Sequence, residues 1–127
     1  MKVLIIYYSQ TGNTGKIARA IKSGIEPLVE ECDLLAVTRV APVDLEAYDL
    51  IGLGTPVWMG GLTPNVRIFI ENLPQQDGKQ IFCFNTHGVM PEQYFPGVIR
   101  KLQIKGFTPI GWQDWYGSVH FQVAPKP

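Results

Sequence analysis

Residues 9–14 read SQTGNT and lie between the apolar run 3–8, VLIIYY, and the periodic stretch 15–25, GKIARAIKSGI. A short apolar run without alternation is what a strand buried on both faces of a parallel sheet requires. Beyond it, Ile17, Ile21, Ile25 and Leu28 recur at helical spacing, and Asn13 or Thr14 suits the cap of the first turn. A central strand thus passes through a polar loop directly into an amphipathic helix, and the rest of the chain repeats that alternation.

Leu34 to Val40 reads as a second strand, and 41–49, APVDLEAYD, is too short and proline-bound for more than a brief helix. The segment 49–55, DLIGLGT, is a third strand. A helix with Val66, Phe69, Ile70 and Leu73 on one side starts near Pro64 and ends at Pro74. A fourth buried strand, 80–86 QIFCFNT, precedes a helix carrying Val98, Ile99 and Leu102 that Gly106 terminates. Residues 107–117, FTPIGWQDWYG, supply a fifth strand. Strands alternating with helices, without repeats or low-complexity tracts, imply an α/β doubly wound parallel sheet with helices on both faces.

A chain of 127 residues fits one domain, 1–127. No uninterrupted apolar stretch approaches the ~20 residues of a membrane span. Met1 leads straight into a strand-like run, and the two cysteines are far apart, so a reduced, cytoplasmic protein is expected. Eleven basic residues cancel eleven acidic ones, which argues against nucleic-acid and anionic-membrane partners. Seven acids fall between Glu26 and Asp49, while Arg100, Lys101 and Lys105 cluster later; both groups read as solvated surface.

In a doubly wound sheet, ligands sit beyond the carboxyl ends of the strands, the place of the 9–14 loop. Successive amides of Gln10, Thr11, Gly12, Asn13 and Thr14 can point inward, the helix start adds partial positive charge, and the hydroxyls of Ser9, Thr11 and Thr14 can donate. Many neutral donors without a lysine suit a phosphate monoester. A nucleoside triphosphate would call for G-x-x-x-x-G-K-[ST], which residues 12–17, GNTGKI, do not satisfy, and the G-x-G-x-x-G dinucleotide pattern is absent from the loop. The plainer alternative is a polar turn before a capped helix.

The run 4–21, LIIYYSQTGNTGKIARAI, resembles the flavodoxin family, with its apolar strand, Thr-Gly-Asn-Thr loop and amphipathic helix. The resemblance covers nearly the whole chain, because 54–61, GTPVWMGG, and 85–89, NTHGV, stand where the family's two flavin-ring loops follow strands three and four. It implies a flavodoxin-like five-stranded sheet of order 2-1-3-4-5 and FMN as cofactor. The phosphate would be held by Ser9, Gln10, Thr11, Gly12, Asn13 and Thr14, and the ring by Thr55, Pro56, Val57, Trp58, Met59, Gly60, Asn85, Thr86, His87 and Gly88.

A flavin ring needs a flat, dry slot with polar groups at one edge, and residues 55–61 offer an aromatic, a thioether and two glycines without a charge. Trp58 is the expected stacking residue; the alternative makes Trp58 and Met59 ordinary core. Gly60 and Gly61 tolerate positive φ, so a peptide there can turn its carbonyl toward the flavin, as the resemblance implies; a simple turn is the alternative. His87 is expected near the flavin's O2 and N1 edge, or is merely solvated. The second aromatic that many flavodoxins place over the ring has no early counterpart, since Tyr94 and Phe95 come late. Cys83 should be inert in its strand. Two unpaired histidines and two isolated cysteines argue no metal site, and no serine has a His and acid beside it for hydrolase chemistry.

The expected function is electron transfer through bound FMN to a redox partner protein. The alternatives are an FMN-dependent NAD(P)H:quinone-type oxidoreductase, which GTPVWMGG also resembles, and a non-redox binding module. The zero net charge departs from the acidic surface of typical flavodoxins and keeps the oxidoreductase in play. The terminal helix of such folds has no counterpart after residue 117, leaving one sheet face short of cover. Val119, Phe121 and Val123 alternate in the tail, 119–127. That tail is expected to pack over the face, to pair with a second copy, or to act as a linker toward a further, ferredoxin-like domain of a larger polypeptide.

Overall fold

The computed structural model describes residues 1–8, 13–39, 42–58, 61–62, 64–87, 95–116 and 121–123. Strand β1 (Lys2–Tyr7) leads to α1 (Asn13–Ile25), a 3-10 turn at Glu26–Leu28 and β2 (Glu31–Ala36). Short 3-10 segments at Val37–Arg39 and Pro42–Ala47 precede β3 (Leu50–Trp58) and β4 (Gly61–Leu62). Then come α2 (Pro64–Glu71), β5 (Gln80–His87), α3 (Phe95–Ile104), β6 (Thr108–Tyr116) and β7 (Phe121–Val123). The sheet runs β2-β1-β3-β5-β6 with every neighbouring pair parallel, which is the expected order 2-1-3-4-5.

The apolar runs lack alternation because both sheet faces are covered. On β1, Leu4 and Ile6 join the core under α2 and α3 with Val66, Ile70, Val98, Ile99 and Leu102. Val3 and Ile5 point to the opposite face and pack with Ala18 of α1, flanked by Ile17, Ile21 and Ile25. Right-handed crossovers sort the helices in this way. The α1 side is also filled from within the sheet, because the rings of Phe82 and Phe84 lie over Gly52 and Gly54 of the neighbouring strand. A Cβ on Gly54 would stand 2.2 Å from the Phe84 ring, and one on Gly52 would stand 2.4 Å from that of Phe82. The two rings stack with centroids 6.3 Å apart. Further along, a Cβ on Gly111 of β6, the register partner of Phe82, would meet no atom of the described residues within 4 Å.

Three expectations need correction. The apolar stripe of α1 stops at Ile25. Pro27 cannot continue the helix, the chain tightens into the Glu26–Leu28 turn, and Leu28 is left 82% exposed. The second strand ends at Ala36, not Val40, because Val37 turns down into the core beneath α2 and α3. Lys105 is not a freely solvated cation, since its Nζ donates to the carbonyls of Glu71 at 2.8 Å and Leu73 at 2.9 Å. Within the tail, the described residues Phe121–Val123 pair antiparallel with Gln113–Trp115 and extend the sheet edge; the rest of 119–127 lies outside the described residues.

Both cysteines are free and buried. Burial pushes the Cys32 thiol up, and that of Cys83 up to about 12. The thiolate is the reactive form. Neither cysteine should therefore be alkylated by iodoacetamide at pH 8 until urea unfolds the chain, as intact-mass measurement would read. The same shift makes Cys83 favour the fold fully below its ordinary pKa of 9.0 and progressively less as pH rises toward about 12.

Candidate functional site at the carboxyl end of the sheet

The strands β1, β3 and β5 are consecutive neighbours and run parallel, so the segments leaving their carboxyl ends emerge side by side. Tyr7 is level with Gly54, and the Tyr8 amide donates to the Gly54 carbonyl at 3.0 Å, tying the start of the first loop to β3. One step on, Thr55 is level with Asn85 and Pro56 with Thr86. Parallel register thus brings three segments that span more than 70 residues of the chain to one edge of the sheet.

Asn13 and Thr14 open α1 and fall inside its first turn, so neither is the residue preceding the helix. Thr14 is 1% exposed and Thr55 4%, the two buried polar side chains among the described residues. Each is engaged within the protein. Pro56, Val57 and Trp58 continue β3 and do not form an open loop, because Val57 pairs with Leu62 and Trp58 with Gly61 in an antiparallel ladder. Asn85, Thr86 and His87 are the last residues of β5. Ser9, Gln10, Thr11, Gly12, Met59, Gly60 and Gly88 lie outside the described residues.

The register adds residues that were read from the sequence as mere strand. Asp114 is level with Asn85, Trp115 with Thr86 and Tyr116 with His87, so the end of β6 borders the same edge. The aromatic and acidic WQDWY run was the available signal, but only pairing to β5 places it here.

The donor chemistry suits a phosphate. No carboxylate stands in the first turn of α1 and none occurs between residues 1 and 25, while the helix start contributes positive potential. The uncharged 54–61 segment suits a flat apolar ring. Among the described residues no group of three or more metal-ligating side chains is found, and no helix is long and apolar enough to cross a membrane.

Residues 4–103 match the family model described as a flavodoxin domain. A flavodoxin-like domain-containing protein, BilS, of Clostridioides difficile is 35% identical over 81% of this chain and 57% of its own length. A flavodoxin of Aquifex aeolicus is 28% identical over 99% of this chain and 76% of its own. Among solved structures, the two-electron reduced flavodoxin of Megasphaera elsdenii superposes with a TM-score of 0.82 at 25% identity, covering 88% of this chain and 84% of that one.

Proposed function

The chain belongs to the flavodoxin family, and from that premise we propose that it binds FMN at the carboxyl end of its sheet and passes electrons between redox partner proteins. The observation that carries this reading is the convergence of the ends of β1, β3 and β5 at one edge, beside an acid-free helix start. FMN, when bound, supplies reversible one- and two-electron chemistry.

The protein's part is holding, orienting and drying. Amides and hydroxyls of Ser9 to Thr14 would hold the phosphate. Trp58 and the rest of the Thr55–Gly60 segment would bind the ring, the Gly60 or Gly61 peptide would offer it a carbonyl, and Asn85, Thr86, His87 and Gly88 would serve its polar edge. The electron partner is a ferredoxin-like protein, met in solution or carried on a larger polypeptide, and a pairing of two copies at the sheet edge is the remaining association to test.

The zero formal charge favours a second reading, an FMN-dependent NAD(P)H:quinone oxidoreductase, because docking without charge steering suits a small substrate. The two separate in a stopped-flow experiment on the FMN-loaded protein. As a carrier it should take electrons rapidly from reduced methyl viologen and show no sustained NADPH oxidation with benzoquinone. Steady turnover of NADPH would establish the oxidoreductase.

A further inference from the structure

Gly54 is the last rung that β1, β3 and β5 share. Tyr7 of β1 and Phe84 of β5 are its register partners, and the pairing of β1 with β3 ends there. The next amide of the first segment, that of Tyr8, donates to the Gly54 carbonyl at 3.0 Å. The next residue of β3 is Thr55, 4% exposed and level with Asn85. The segments that leave β1 and β3 for the carboxyl edge therefore both start from this rung.

A ring seated in a notch holds the rung. Three atoms of the Phe84 ring lie within 3.0 Å of where a Cβ on Gly54 would be, so the ring rests on bare backbone. Phe84 is 1% exposed and packs in the cluster of Val3, Ile5 and Ala18, so lifting it presses on the layer beneath α1. Gly52 and Phe82 repeat the arrangement two residues earlier, with ring atoms as close. Phe82 differs in being only partly buried, and its register partner Gly111 has no described atom within 4 Å of its Cβ position. A methyl at Gly52 can tilt its ring aside. A methyl at Gly54 must lift Phe84 or drive β3 from β5.

We propose that Gly54 is a positioning residue: its missing side chain seats the Phe84 ring and so fixes the height at which β1, β3 and β5 deliver their ends to the FMN site. The inference rests on the FMN reading and adds to it the device that aligns the site. Binding groups act together only when held to within about half an ångström. A displaced rung has to be pressed back as FMN binds, so part of the overpacking cost appears in affinity as well as in stability.

Flavin fluorescence gives the FMN dissociation constants of the wild type, Gly54→Ala, Gly52→Ala, Phe84→Leu and the double variant Gly54→Ala/Phe84→Leu, with far-ultraviolet circular dichroism showing which are folded. Gly54→Ala should weaken FMN about tenfold, the scale of one overpacked contact. Gly52→Ala should stay within about twofold of the wild type, as a site without a shared partner does. Phe84→Leu, which empties the notch, should weaken FMN about threefold. The double variant sets a smaller side chain over a larger residue and should return to within about twofold of the wild type, the coupling expected of residues in contact. The visible circular dichroism of the bound flavin should change in Gly54→Ala and revert in the double variant. Gly54→Ala binding FMN as Gly52→Ala does, or the double variant binding no tighter than Phe84→Leu, would overturn the proposal and leave the FMN reading standing. The second comparison decides even where Gly54→Ala does not fold. A wild type that does not bind FMN overturns both.

Discussion

Riboflavin is expected to bind this protein about a thousandfold more weakly than FMN, although the two share the same ring. On the proposed reading, the loop at 9–14 would hold only the phosphate, through neutral amides and hydroxyls at an acid-free helix start. Each hydrogen bond to a charged group contributes roughly 1.5 to 3 kcal/mol. Losing two of them costs about 3 to 6 kcal/mol, a range that brackets the roughly 4 kcal/mol of a thousandfold change. The remaining donors would return to water, which limits the loss. Isothermal titration of both flavins against the apoprotein reads the difference directly, and equal affinities would remove the phosphate role from the loop.

Gly106→Ala should be the most damaging single methyl among the glycines of the described residues. The α3 helix ends in a Schellman motif: the Gly106 amide donates to Gln103 at 3.0 Å, the Phe107 amide donates to Leu102 at 3.0 Å, and Gly106 has φ +89°. Phe107 and Leu102 share the core on the α2 and α3 side, completing the motif's apolar contact. The neighbouring connection is threaded through the same place, since the Gln76 amide donates to the Lys105 carbonyl and that of Gly78 to Gly106 itself. A Cβ on Gly106 would stand 2.0 Å from the Gln76 carbonyl oxygen, a backbone atom that cannot swing aside. Left-handed strain costs about 1 to 2 kcal/mol, and the displaced backbone bonds raise the total to about 3 kcal/mol. At this size that lowers Tm by roughly 10 °C or more. Gly24→Ala is the matched control: nothing lies within 4 Å of its Cβ position in α1. It should raise stability by about 0.5 to 1 kcal/mol. Thermal melts by circular dichroism rank the three proteins.

The alternation of strand and helix was legible because burial on both faces leaves its mark on each segment separately: VLIIYY, LIGLG and IFCF are uninterrupted apolar runs, and the helices carry their own stripes. What depends on distant partners was not legible. Leu28 continues the spacing of Ile21 and Ile25, and only the geometry imposed by Pro27 exposes it. Lys105 looks like one of three clustered cations, yet its acceptors are the carbonyls of Glu71 and Leu73, more than 30 residues away. The Phe82 and Phe84 rings cover Gly52 and Gly54 across a strand pair that no local pattern encodes.

The site divides in the same way. Residues 9–14 announce a phosphate locally, through donor type and a helix start. The neighbourhood of Thr55, Asn85 and Asp114 is a product of register, so the end of β6 escaped the sequence reading.

The central claim is that the carboxyl end of the sheet is an FMN site, and amide hydrogen exchange followed by mass spectrometry, with and without FMN, tests it most directly. The expected result is slowed exchange confined to peptides spanning 9–14, 54–61 and 85–88. Unchanged exchange in all three would contradict it, and so would protection confined to the opposite end of the sheet, where Glu46, Asp49 and Lys79 line a separate groove.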